Sequence, residues 1–166
     1  MLLILLEEIE NHRWIVFTAY IAITYVVSLR GPQGLLLDLS GLRKHWNLHR
    51  AYIIIPLLRK IKGEHNDLAY LILRVSITKS GIKVRDILNR LIEDKDRYGL
   101  RTGPAMSDSK GQPFTLNEMN DMLQEALILT FEEDCSLFPP NISSSELIHQ
   151  HYQVFRSLRR NLIQEP

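Results

Sequence analysis

The stretch Trp14 to Leu29, W-I-V-F-T-A-Y-I-A-I-T-Y-V-V-S-L, followed at once by R-G-P-Q-G at residues 30 to 34, decides how the rest of the chain is read. Its 16 residues carry no charge and are flanked by Arg13 and Arg30. A bilayer needs roughly 20 apolar residues in a row, so this run is short for a span. Thr18, Thr24 and Ser28 stand within it at helical spacing, which suits a helix buried on most sides at the centre of a folded domain. Apolar character begins earlier, so the pattern predicts helix over 2–29 with a break near Glu10 to Arg13. Gly31, Pro32 and Gly34 then enforce a turn that displays Arg30 at the end of the buried helix.

The chain has 166 residues, 45% of them hydrophobic, which predicts one domain with a substantial core, spanning 1–166. Net charge is +1, so the composition carries no global basic signature and any nucleic-acid surface is local. The single cysteine, Cys135, excludes an internal disulfide and a cysteine zinc cage and points to an intracellular setting. Glu132, Glu133 and Asp134 precede it and oppose a thiolate, so it reads as structural. The six histidines include no H-E-x-x-H, and no metal or organic cofactor is expected. The opening M-L-L-I-L-L-E-E has no basic n-region, which argues against a signal peptide.

After L-L-L-D-L, a short apolar strand or the next helix, residues 41–62 hold Arg43, Lys44, Arg50, Arg59, Lys60 and Lys62 without one Asp or Glu. That is the basic patch the net charge hides. Within it the β-branched run Tyr52 to Leu58 and the later L-A-Y-L-I-L-R-V flank K-I-K-G-E-H-N-D, which predicts a β-hairpin with lysines at its tip. Arg85 to Tyr98 is amphipathic, with Ile87, Leu88, Leu91 and Ile92 inward. Gly99 to Pro113 is a polar loop, and Thr115 with Glu118 forms a capping box for the next helix. Ser143 to Ser145 open a last helix that carries Y-Q-V-F-R-S-L-R-R-N-L, in which Phe155, Leu158 and Leu162 share a face beside Arg156, Arg159 and Arg160. The tyrosines and tryptophans at 14, 20, 25, 46, 52 and 70 read as core residues, with Trp46 the best placed for a nucleic-acid contact.

In this order the pieces resemble the catalytic domain of the tyrosine recombinase (phage-integrase-like) family, in versions associated with eukaryotic mobile elements, over about residues 14–162. The family's first catalytic arginine follows an apolar helix in a G-L-R-x-x-E context; S-L-R-G-P-Q puts Arg30 there, with Gln33 in the acidic position. Its catalytic lysine lies on a β-hairpin, matched by Lys62 with Lys60 as rival. Its H-x-x-R signature is matched by R-S-L-R, with Arg159 on the arginine and Arg156 in place of the histidine.

The resemblance implies a mainly helical α+β fold with a small antiparallel sheet and DNA as partner. It also implies assembly of copies on DNA and a nuclear location in a eukaryote. In the family two arginines stabilise charge on the phosphodiester as a tyrosine attacks it, and the lysine protonates the leaving oxygen. Arg30 and Arg159 would be the clamps, with Arg43, Lys44, Arg50, Lys60 and Arg160 as further DNA contacts. Arginine at 156 cannot exchange protons near neutral pH. No tyrosine follows Arg159, so the expectation is a truncated core, without a separate N-terminal core-binding domain, that holds phosphate but does not cleave alone. The alternative is a helical protein-interaction or membrane-associated domain. Only the recombinase reading requires Arg30, Lys62 and Arg159 to converge on one anion-sized site.

Overall fold

The computed structural model describes residues 11–46, 52–60, 66–74, 77–79 and 81–137. The long apolar run forms helix α1, His12–Val26. Asn11 is its N-cap, and the Asn11 side-chain oxygen accepts from the Arg13 N–H at 3.0 Å. Residues 2–10 of the predicted helix and the last helix predicted from Ser143 lie outside the described residues. Every residue from Trp14 to Thr24 is buried. Two hydroxyls in that apolar setting are satisfied within the helix, Thr18 on the Trp14 carbonyl at 2.7 Å and Thr24 on the Tyr20 carbonyl at 2.8 Å. Fifteen residues make a rod of about 22 Å, less than the roughly 30 Å of hydrocarbon in a bilayer. Among the described residues no helix is long and apolar enough to cross a membrane.

A single helical turn, α2 (Gly31–Gly34), follows. The segment after it resolves the choice between strand and helix by being both in succession. Leu37 bridges Leu57, the Asp38 N–H donates to the Pro56 carbonyl at 3.0 Å, the Leu58 N–H donates to the Leu36 carbonyl at 2.8 Å, and then α3 (Leu39–Trp46) begins. The predicted hairpin is present as β1 (Ile53–Lys60) and β2 (Asn66–Leu73), antiparallel, with Ile53 opposite Leu73 and Lys60 opposite Asn66. Ile53, Ile55 and Leu57 of β1 are buried, as a half-buried strand of period two requires.

Pro56 sits mid-strand, where a missing N–H would ordinarily break a ladder. Its carbonyl faces Asp38, so its nitrogen faces the same side, where the chain is already turning into α3 and no strand partner is needed. Gly41 of α3 packs on the proline ring there: a Cβ at residue 41 would lie 2.9 Å from Pro56 Cβ and Cγ.

Helix α4 (Val84–Arg97) buries Val84, Ile87, Leu88, Leu91 and Ile92 and packs against α1. Helix α5 (Leu116–Glu133) starts at the expected capping box, the Thr115 N–H donating to Glu118 Oε2 at 2.7 Å. The loop between α4 and α5 is not wholly polar, because Ala105, Met106 and Ser107 are buried in it and the Ala105 N–H donates to the Leu37 carbonyl at 2.9 Å. The whole is a mainly helical α+β arrangement around α1, with a small two-stranded antiparallel sheet.

Candidate functional site

Arg30 stands where α1 ends. The Leu29 N–H donates back to the Thr24 carbonyl at 3.0 Å, closing the helix, and Ser28 takes a positive φ of 55° to allow it. The Arg30 N–H donates to Gln33 Oε1 at 2.9 Å, which gives this glutamine a local role in holding the turn. One residue on, the Gly31 carbonyl accepts from the buried Tyr20 hydroxyl at 2.9 Å. Gly34 lies against the same ring, where a Cβ would fall 2.7 Å from Tyr20 Cε2 and 2.5 Å from Thr24 Cγ2. Arg30 itself is exposed, and among the described residues its guanidinium forms no ion pair.

Of the other basic residues singled out from the sequence, Lys44 is exposed on α3. Arg43 beside it is largely enclosed: its Nη2 donates to Asp96 Oδ1 at 2.6 Å and to the Leu100 carbonyl at 3.0 Å, and its side chain is 19% exposed. Its charge is shared with a carboxylate before any ligand arrives. Lys60 closes β1 opposite Asn66. Lys62, Arg50, Arg156, Arg159 and Arg160 lie outside the described residues.

Trp46 is half-buried, and the guanidinium of Arg85 from α4 lies 5.1 Å from its ring centroid while donating to the Tyr52 carbonyl at 3.2 Å. Arg85 therefore joins the basic stretch from a helix that sequence reasoning kept separate. Tyr70, expected in the core, is 50% exposed on β2 with the His45 ring edge-on at 5.3 Å. Cys135, read as structural, is exposed, because it lies beyond the end of α5 in a short 3-10 turn.

A second polar cluster lies inside the molecule. His12 at the start of α1 pairs through Nδ1 with Asp94 Oδ2, and its Nε2 faces the Ser107 carbonyl at 3.2 Å. The Lys95 ammonium, fully buried, donates to the Ser107 carbonyl and hydroxyl, both at 2.7 Å, and Ser107 Oγ donates to the Pro104 carbonyl at 2.8 Å. Burial pulls the Lys95 pKa down to about 8, against the opposing attraction of Asp94 and Asp108. The Asp108 carboxyl is held below its ordinary range, first by the backbone N–H of Gln112.

A lysine beside a serine hydroxyl is a nucleophile arrangement in principle. Here both are sealed from solvent, so the cluster cross-links three segments and offers no surface to a substrate. Reading the sequence by charge alone missed it. Helical spacing carries the signal: Lys95 is three and four residues beyond Ile92 and Leu91, on the buried stripe.

Among the described residues no group of three or more His, Cys, Asp or Glu is arranged to hold a metal ion. Compared with known proteins, the chain matches no family model, no curated protein and no solved structure.

Proposed function

We propose that this chain is a tyrosine-recombinase-like catalytic core that binds the DNA backbone, with Arg30 the leading phosphate contact. The observation that carries the reading is the antiparallel rung between residues 36–38 and β1. Upstream of Leu36 the chain leads back to Arg30; downstream of Leu58 it leads to Lys60 and Lys62. In an antiparallel pair these two directions leave the same end of the ladder. That shared direction supports the reading, in which the arginine turn and the hairpin lysines serve one phosphate.

In this reading Arg30 and Arg159 bind the non-bridging oxygens, with Arg156 as an added donor, and a lysine at the hairpin tip, Lys62 or its rival Lys60, lies near the leaving oxygen. Cleavage would require a tyrosine in addition to these residues, so the activity assigned to them is phosphodiester binding. Lys44 and Arg160 extend the contact; Arg43, already paired with Asp96, contributes less than its charge suggests.

The test is binding to a fluorescent DNA duplex across a salt series, with Arg30→Ala/Arg159→Ala as comparison. Each lost phosphate contact lowers the slope of log K against log salt by about one, so a drop of about two is expected in a variant that stays folded. Equal binding by both proteins, or none by either, overturns the reading.

A second reading, a protein-interaction domain, is favoured by Tyr70 and Ile72, which stand 50% and 63% exposed on the outer face of β2. It predicts no salt-dependent DNA binding, and loss of partner capture on Tyr70→Ser/Ile72→Ser.

A further inference from the structure

Three features of the described residues have no part in the proposed DNA contact itself. In the His12–Asp94–Lys95–Ser107 cluster Asp94, Lys95 and Ser107 are buried, and only part of the His12 ring meets the surface. The apolar outer face of β2 has nothing beside it that specifies an occupant. The third is the way the turn after α1 is tied down, and it concerns the same site as the proposed function, on which the inference rests.

We propose that Tyr20 is a positioning residue for Arg30, its hydroxyl fixing the turn so that the guanidinium is presented to a phosphate in one preset arrangement. The residues around Arg30 are tethered in sequence. Before it, the Leu29 N–H is held by Thr24; at it, the Arg30 N–H is held by Gln33; after it, the Gly31 carbonyl is held by Tyr20. An exposed side chain thus rises from a backbone with little freedom left.

Tyr20 is the tether that reaches the core. It lies on α1, eleven residues upstream of Gly31, fully buried, with Gly34 packed on its ring. A phenylalanine would fill the same space, since the ring does the packing. The hydroxyl is what the phosphate site uses, because a buried hydroxyl is tolerated only when paired and this one is paired to the residue after Arg30. Burial raises the pKa of the phenol, so it remains a donor throughout the neutral range. A guanidinium on a fixed mount loses less conformational freedom when it docks on an anion, and that difference appears as affinity.

A double-mutant cycle on the full chain tests this, with duplex affinity read by fluorescence anisotropy and folding checked by near-ultraviolet circular dichroism. Arg30→Ala weakens binding about tenfold, the worth of one charge-assisted contact. Tyr20→Phe weakens it about three- to fivefold, and the double variant binds no more weakly than Arg30→Ala alone, because the hydroxyl acts through the arginine. Gln33→Ala, at an exposed residue whose loss does not open the core, repeats the cycle from the second tether and shows the same coupling.

Full affinity in Tyr20→Phe, or losses that multiply in the double variant, overturn the positioning role while leaving the phosphate site standing. Should Tyr20→Phe fail to fold, the Gln33 cycle decides: losses that multiply there overturn the proposal, and coupled losses support it. An Arg30→Ala protein that binds as well as wild type removes the phosphate site and the proposal together.

Discussion

Ser28 holds a backbone conformation that side chains resist. A φ of 55° brings Cβ close to the carbonyl oxygen, at a cost of about 1 kcal/mol that glycine does not incur. The serine is two residues before Arg30, where α1 closes and the turn opens, so the strain lies at the junction that aims the arginine. Ser28→Gly is expected to raise stability by about 0.5–1 kcal/mol, read as a higher denaturant midpoint at unchanged slope.

Lys95 makes a pH-dependent contribution whose sign follows from its environment. Its pKa is about 8 in the folded protein and 10.5 as an unperturbed side chain. Between those values the unfolded chain binds the proton and the native state gives it up, so stability rises as pH increases from about 8 toward 10.5. Below 8 both states are protonated, and the buried charge is carried at a cost on the order of 3 kcal/mol. Melting temperatures at pH 7.5 and 9.5 should therefore converge on those of Lys95→Met at the higher pH. The comparison stops short of pH 10, where Tyr20, whose pKa is raised by burial, begins to act in the opposite direction.

Among the elements, the contact between α3 and β1 is the most exacting. Gly41 lies against the Pro56 ring with no room for a methyl group, and it is this approach that lets residues 36–38 pair with the strand before the chain enters the helix. Gly41→Ala is expected to cost about 1–3 kcal/mol by overpacking, more than the helix propensity of alanine returns. Urea denaturation reads the loss directly. If the proposed phosphate site stands, the variant should also bind DNA more weakly at a temperature where it is still folded.

At the scale of the whole molecule, polar links tie together segments far apart in sequence. His12 reaches Asp94 across 82 positions, Arg43 reaches Asp96 across 53, and Lys95 returns to Ser107 in the loop that also docks on Leu37. In the buried cluster, removing Asp94 leaves the enclosed Lys95 ammonium without a carboxylate that favours its charge. Asp94→Ala should cost about 3–5 kcal/mol, far above a surface substitution, and chemical denaturation checks it. A loss below about 1 kcal/mol would show that water already reaches the cluster.

What the sequence by itself determined is what local pattern encodes. The uncharged run from Trp14 had to be a buried helix, Thr115 and Glu118 had to cap α5, and the β-branched runs around Gly63 had to pair as a hairpin, because periodicity, caps and turns act within a few residues. Arg30 at the end of α1 was legible for the same reason: the glycines and proline that halt the helix stand beside it.

Only the tertiary structure decided which charges are free. Arg43, Lys95 and Arg85 look alike in the sequence, yet one is paired with Asp96, one is sealed against Ser107 and one lies over Trp46. The cost of removing a charge from water is fixed by the residue, but the partner that offsets it comes from a distant segment. The packing of α4 and its following loop against α1 and α3 selects that partner, and no local pattern records it.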